Sequence, residues 1–274
     1  MDVLYGLHPV EEAIRSGSRQ LKQVSFARER RDARLEGLLV SCRAAGVPTA
    51  LEQRDHLTRL AGTDQHQGVV AIARERGFLA LEDLATPKPA GQHLFLLALD
   101  GVEDPHNLGA LLRTADGAGV DGVLLPERRS APITAVVAKT SAGASEHVRI
   151  AKVTNLVRSI EELKRRNIWA IGLDERGDRD YDQFDFQTDC VLVLGREGAG
   201  LHDLTRKTCD YLLRIPMAGS VSSLNVSVAG AIVMYEAARQ RRIPALANST
   251  LSNRIPDNSC AKAAEDKPQK GLGS

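Results

Sequence analysis

A chain of 274 residues with 43% hydrophobic content can bury the core of one large or two ordinary domains, so it needs no disulfide or metal staple to fold. Lys and Arg number 36 against 35 Asp and Glu, so a net charge of +1 gives no argument from the total for a polyanionic partner, and 4% aromatic content argues against a stacking platform for single-stranded bases. The four cysteines, Cys42, Cys190, Cys209 and Cys260, fall in no zinc spacing, the N-terminus has no apolar signal core, and no run approaches the ~18 apolar residues of a membrane span; the expectation is a reduced, cytoplasmic protein with no metal and no membrane contact.

In chain order, residues 1–75 alternate helix-like HPVEEAIRSG, strand-like LKQVSFA, helix-like ARLEGLLVSCRAAG, a short strand near PTALE, a helix near RDHLTRLAG and a strand at QGVVAIAR. This pattern predicts a small α/β domain. It carries a local excess of arginine at Arg28, Arg30, Arg31 and Arg34, which suits a solvated face as well as a phosphate-binding patch. Residues 76–92, ending in Pro87, Pro89 and Gly91, read as a linker with one short helix at Leu79 to Leu84.

A second domain is expected over 93–242, with strands HLFLLALD, DGVLLP, HVRIA, IWAIGLD, CVLVLG and YLLRIP. Helices are expected between them at Leu108 to Gly117, Ile133 to Ala144, Asn155 to Asn167, Leu201 to Cys209 and Asn225 to Arg242. Strands this apolar, alternating with helices, predict a parallel sheet covered on both faces. Residues 243–274 are polar, contain Pro and lack periodicity, which predicts a disordered tail.

Ligands of such sheets bind beyond the carboxyl ends of the strands, which directs attention to three loops. The first, DGVEDPHNLGALLRTADGAG, leads through Asn107 into a helix whose Arg113 lies among Leu108, Leu111, Leu112 and Ala115, so it should point into a cleft or a subunit interface. Asn107 as a plain helix cap and Arg113 as an ordinary ion-pair partner remain open alternatives. The second loop, GREGAG, sets Glu197 among Gly195, Gly198 and Gly200; its GxxGxG spacing and late position make a poor dinucleotide fingerprint, but its glycines admit a closely approaching ligand. In the third, IPMAGSVSSLNVSVA, a strand end runs through Ser220, Ser222, Ser223, Asn225 and Ser227 into an apolar helix. Each hydroxyl or amide there could be an N-cap, and their density favours a site.

These loops in this order resemble the motifs of the SpoU, or TrmH-type, branch of the SPOUT RNA methyltransferases: Asn107 with Arg113, then GxEGxG at Gly195, Glu197, Gly198 and Gly200, then IPMxGxxxSLNVSVA over Ile215 to Ala229. YGLHPVEEAI and HQGVVA also look like the small domain that precedes the catalytic domain in the subgroup that 2'-O-methylates a guanosine in the peptidyl-transferase P-loop of 23S rRNA. The resemblance implies a trefoil-knotted, mostly parallel α/β methyltransferase domain behind an L30e-like substrate-binding domain. It implies S-adenosyl-L-methionine as methyl donor, contacting Gly195, Ile215 and Leu224 with Leu194, Gly200 and Met217 close by. It also implies a homodimer through the helix from Val226 to Tyr235 and the segment around Asn107, acting on 23S rRNA or a large-subunit assembly particle.

In that setting Arg113 would anchor phosphate and stabilise developing charge, Asn107, Ser223 and Asn225 would orient the ribose and the arginine, and Glu197 would hold the loop or the arginine. A guanidinium stays protonated, so Arg113 is not read as a general base. Two other readings stay open: methylation of tRNA or another rRNA position, and a non-catalytic RNA-binding assembly factor that kept the fold.

Overall fold

The computed structural model describes residues 1–30, 32–221 and 223–250, the last eight by backbone alone. Arg31, Ser222, Cys260 and the expected tail beyond Thr250 therefore lie outside the described residues.

The first 73 residues form β1 (Asp2–Tyr5), α1 (Leu7–Ser16), β2 (Leu21–Ala27), α2 (Ala33–Ala44), β3 (Thr49–Glu52), α3 (Arg54–Ala61) and β4 (Val69–Ala73). They make a sheet ordered β1-β4-β2-β3, antiparallel except for β2 with β3. Strand alternation sorts the core. Leu4, Val24, Phe26 and Ala71 pack with Val10 of α1 and Leu38 of α2, while Tyr5 and Val70 turn the other way onto Leu57 of α3. β1 was not expected, because four residues at the chain start show too little alternation to read as a strand. The arginine excess is largely compensated here: Arg30 Nε bonds Asp32 at 2.8 Å, Arg34 Nη2 bonds Glu11 at 3.0 Å, and Arg28 Nε donates to the Leu51 carbonyl at 3.1 Å.

The remainder forms α4 (Leu81–Leu84), β5 (Phe95–Leu99), α5 (Pro105–Ala118), β6 (Gly122–Pro126), α6 (Ala135–Thr140), β7 (Ile150–Val153), α7 (Leu156–Arg165), β8 (Trp169–Leu173), β9 (Arg179–Asp180), β10 (Cys190–Leu194), α8 (Asp203–Thr208), β11 (Tyr211–Arg214) and α9 (Val226–Thr250). The seven strands pair in parallel in the order β7-β6-β5-β10-β8-β11-β9. Both faces are covered, as the apolar strands predict. Phe95, Leu97 and Leu99 face Leu108, Leu111 and Leu112 of α5 and Val233, Met234 and Ala237 of α9, whereas Leu96 and Ala98 face Ile160 and Leu163 of α7 and Leu84 of α4.

Three elements differ from expectation. The segment over 76–92 does not span free space: Leu84 is fully buried under the sheet, and the Leu79 N–H bonds the Ile150 carbonyl at 2.9 Å. α6 stops at Thr140, because Ala142 (φ 51) and Gly143 (φ 87) turn left-handed before a 3-10 turn at Ala144–Glu146. α9 continues past Arg242 to Thr250, through Ala245, Leu246 and Ala247, which are good helix formers.

That interruption of α6 brings the two sheets together. The turn presents Glu146 to Arg19, whose Nε and Nη2 reach its two carboxylate oxygens at 2.7 and 2.5 Å while Nη1 bonds Asp2 at 2.7 Å. His147 contacts Glu12 at 2.6 Å, and Ala138 of α6 joins the core of the first sheet. Burial pushes the Cys42 thiol up to about 11 and those of Cys190 and Cys209 up to about 12, so all three stay protonated near neutrality. Among the described residues no helix is long and apolar enough to cross a membrane.

Candidate functional site

The loops after β8, β10 and β11 enclose a cleft at the carboxyl ends of the strands. Its wall includes Leu173 and Asp174 after β8, Leu194 to Gly200 after β10, and Ile215, Met217, Ser223, Leu224, Val226 and Ala229 from β11 into α9. All six residues expected at the cofactor, Leu194, Gly195, Gly200, Ile215, Met217 and Leu224, line it. So do Glu197 and Ser223 of the expected catalytic set.

The glycines of GREGAG make the cleft possible. Arg196 N–H bonds the Gly200 carbonyl at 2.9 Å and Gly200 N–H returns to Arg196 at 3.0 Å, with Gly198 (φ 73) and Gly200 (φ 65) in left-handed backbone. Under this turn, a Cβ on Gly195 would collide with the backbone of Gly200 and Leu201. Gly195→Ala should therefore open the turn and abolish detectable S-adenosylmethionine binding in calorimetry, while far-UV circular dichroism keeps its native helix content. Unchanged affinity in that variant would show that the turn does not shape the cleft.

Three side chains tie the loops together, and their hydrogen bonds fix which way each amide points. Asn225 caps α9: its Oδ1 accepts from the Ser227 N–H at 2.9 Å and the Ser227 hydroxyl at 2.6 Å. Its Nδ2 must then face outward, where it donates to Asn107 Oδ1 at 2.9 Å and Glu197 Oε1 at 3.1 Å. Asn107, buried at the start of α5, thus turns its own Nδ2 to Glu197 Oε2 at 2.9 Å. Each Glu197 oxygen accepts an amide proton, so the carboxylate clamps α5 to α9 across the lip of the cleft. Asn225 is therefore an N-cap, as its type allows, and also a bridge to Asn107 and Glu197 that the sequence did not suggest.

Arg113 is placed differently. It is exposed on α5, does not line the cleft, and has no hydrogen-bond or ion-pair partner among the described residues. Six residues beyond Asn107, it sits about 9 Å along the axis and roughly 120° round the helix from it, so it faces away from its own cleft. Ser223 is exposed at the cleft rim.

Sequence reasoning missed two groups. Asp100, buried at the end of β5, accepts from His202 N at 2.9 Å and meets His202 Nδ1 at 2.9 Å, which secures the far end of the glycine turn. The sequence offered a signal in the acidic residue closing LFLLALD. Asp174 follows β8; its Oδ1 accepts from Arg176 N at 3.0 Å and Arg176 Nε at 3.1 Å, and its Oδ2 is buried without a donor.

Comparison with known proteins agrees with this geometry. Residues 94–235 match the SpoU rRNA Methylase family, and residues 3–78 match a domain described as RNA 2'-O ribose methyltransferase substrate binding. A 23S rRNA (guanosine-2'-O-)-methyltransferase RlmB from Ralstonia nicotianae is 45% identical over 241 residues, covering 88% of this chain and 96% of the relative. The protein of the same name from Pseudomonas aeruginosa is 44% identical over 241 residues, covering 87% of this chain and 96% of the relative. Among solved structures, the SpoU methyltransferase AviRb from Streptomyces viridochromogenes in complex with AdoMet superposes with a TM-score of 0.73 at 27% identity, covering 87% of this chain and 90% of that one. An AdoMet-bound rRNA methyltransferase from Sinorhizobium meliloti gives 0.71 at 27% identity, covering 87% of each chain.

Proposed function

This chain belongs to the SpoU rRNA methylase family, and from that premise we propose that it transfers a methyl group from S-adenosyl-L-methionine to the ribose 2'-hydroxyl of a guanosine in 23S rRNA, in the peptidyl-transferase P-loop. The observation that carries the reading is the cleft at the strand ends, walled by the second and third motif loops and tied to the first through the hydrogen bonds of Asn107 with Glu197 and Asn225.

The cleft suits the cofactor. Its wall is largely apolar side chain and glycine backbone, as a ligand without phosphate requires, and the missing Cβ at Gly195 lets the Gly200 turn close over that wall. Leu194, Gly195, Gly200, Ile215, Met217 and Leu224 would hold S-adenosylmethionine, which supplies an electrophilic methyl on a sulfonium. The chain's task is then to present a ribose oxygen in line with that methyl and to stabilise the charge that develops on it; alignment of this kind can be worth ~7–11 kcal/mol. The Asn107–Glu197–Asn225 clamp fixes the lip against which Ser223 orients the ribose, and Asn225, with both amide protons spent in the clamp, acts by holding that lip. Arg113 supplies the positive charge.

Because Arg113 faces away from its own cleft, we assign it to the cleft of a second copy. The exposed face of α9 supports that arrangement, since Val228 is 48% and Tyr235 50% exposed there. Residues 1–75 are assigned to gripping the RNA, on rRNA itself or an assembly particle in the cytoplasm, and the knot implied by the resemblance accounts for β10 lying between β5 and β8.

The test is incubation of the protein with radiolabelled S-adenosylmethionine and unmodified 23S rRNA, followed by nuclease mapping of the label. Label on one P-loop guanosine ribose is the expected result. Label on bulk tRNA instead would discard the rRNA assignment, and cofactor binding without transfer to any RNA or assembly particle would favour a non-catalytic factor.

A further inference from the structure

One group in the cleft is unexplained by anything above. The Asp174 side chain is 2% exposed, and its Oδ2 is shut off from water with no donor in reach. An ionised oxygen in that position is costly and is rarely left so without a reason. The residue is held firmly: its N–H bonds the Leu213 carbonyl at 2.9 Å, its carbonyl accepts from Gly177 N–H at 2.9 Å, and Arg176 grips Oδ1. Local strain relief by a rotamer change would break the Arg176 contacts, so the orphan oxygen is built in.

We propose that Asp174 Oδ2 is the acceptor for a ribose hydroxyl of the cofactor's adenosine, which makes this carboxylate a determinant of cofactor recognition. Three observations favour a hydroxyl. Asp174 stands at the carboxyl end of a parallel strand beside a glycine turn, where doubly wound folds use an acidic side chain to take adenosine ribose hydroxyls. Its charge is already matched by the Arg176 guanidinium, so a neutral donor suits Oδ2 better than the cofactor's ammonium, which Arg176 would repel. And the position beside Oδ2 is Gly200, where a Cβ would stand 3.4 Å from the oxygen, so no side chain of the glycine turn competes with a small hydroxyl for it.

The inference rests on the cofactor assigned above, and binding to the full-length chain tests it without reference to turnover. Asp174→Ala and Asp174→Asn should bind S-adenosylmethionine and S-adenosylhomocysteine about ten- to a hundredfold more weakly in calorimetry, the range for a hydrogen bond to a charged group. The 2'-deoxy or 3'-deoxy analogue of S-adenosylhomocysteine should lose a similar factor on the wild type and little on Asp174→Ala. In the absence of ligand Asp174→Asn, whose Oδ1 can still accept from Arg176, should melt close to the wild type, so that its lost affinity reports the cofactor contact; a purely structural Asp174 would lower the melting temperature of both variants and leave the analogue series unchanged between them. Equal affinity in wild type and variants, or analogues that lose as much on Asp174→Ala as on the wild type, would overturn the proposal. Coupling to an analogue lacking the amino group in place of the hydroxyls would overturn it as well. A wild type that bound no S-adenosylmethionine would sink the functional reading and this inference together, whereas a wild type that binds normally isolates any failure to Asp174.

Discussion

Arg113→Ala should slow single-turnover methyl transfer by about a hundred- to a thousandfold, the usual cost of deleting one preorganised donor to a developing oxyanion. Cofactor affinity should stay at the wild-type value, because Arg113 does not line the cleft. The combination separates a transition-state role from a binding role: kcat falls, the S-adenosylmethionine Kd holds, and Arg113→Lys recovers only part of the rate, since an ammonium lacks the planar fork that grips phosphate. Mixing subunits decides whose cleft the arginine serves. Arg113→Ala retains a sound cleft and Gly195→Ala retains a sound arginine, so a mixed dimer regains a working site only if Arg113 acts across the interface. No recovery on mixing, with dimers confirmed by sedimentation, would return Arg113 to its own cleft.

Glu146→Ala should lower the melting temperature by on the order of 10 °C, corresponding to ~3–5 kcal/mol for breaking a buried ion pair from one side. Glu146 is fully buried and Arg19 is 4% exposed, so deletion leaves a buried guanidinium with two of its three bonded nitrogens unmet and only Asp2 as counter-charge. Arg76 makes matters worse, since its Nη1 is already unpartnered and burial holds its pKa below the usual value. Burial also opposes the charge on Arg19, but the hydrogen bonds and charges of Glu146 and Asp2 more than offset it and raise its pKa. Replacing the pair together, as Arg19→Met with Glu146→Leu, should recover part of the loss, because the buried guanidinium goes with its partner, Asp2 is 32% exposed and can turn to water, and Arg76 loses a repelling charge along with an attracting one. A single variant melting within a degree of the wild type would show that the contact between the two sheets is not held by this pair.

Much of the fold was legible because burial writes itself into composition. A parallel strand covered on both faces must be apolar throughout, so LFLLAL, CVLVL and GVLLP could be read without a partner strand in view. β9 could not, since Arg179 and Asp180 are two polar residues whose strand character comes only from pairing with Leu213 and Arg214. The break after α6 hid for a similar reason, as nothing in AKTSAGASE announces that Ala142 takes a left-handed conformation. In the cleft, the second and third motif loops marked where the ligand wall lies, while the stretch after β8 that completes it was not marked. The Asn107–Glu197–Asn225 clamp and the unmet oxygen of Asp174 were out of reach, because each depends on which side chains meet after folding. Arg113 shows the limit most plainly: residue type gave its chemistry, and only the helix phase shows that it faces outward.

The place of β10 in the sheet also sets the order in which the molecule can be born. Cys190 pairs with Phe95 on one side and with Trp169 on the other, so the strand completing the centre is made after both neighbours. A nascent chain can finish the first sheet early from contacts within its first 73 residues, but the central strands must wait with a gap between them until residue 194 has left the ribosome. Long-range pairing of this kind is slow, and the waiting edges are open to wrong partners. The protein should therefore emerge in two kinetic phases, a fast one that builds its first sheet and a slow one that completes the second sheet and the cleft at its strand ends.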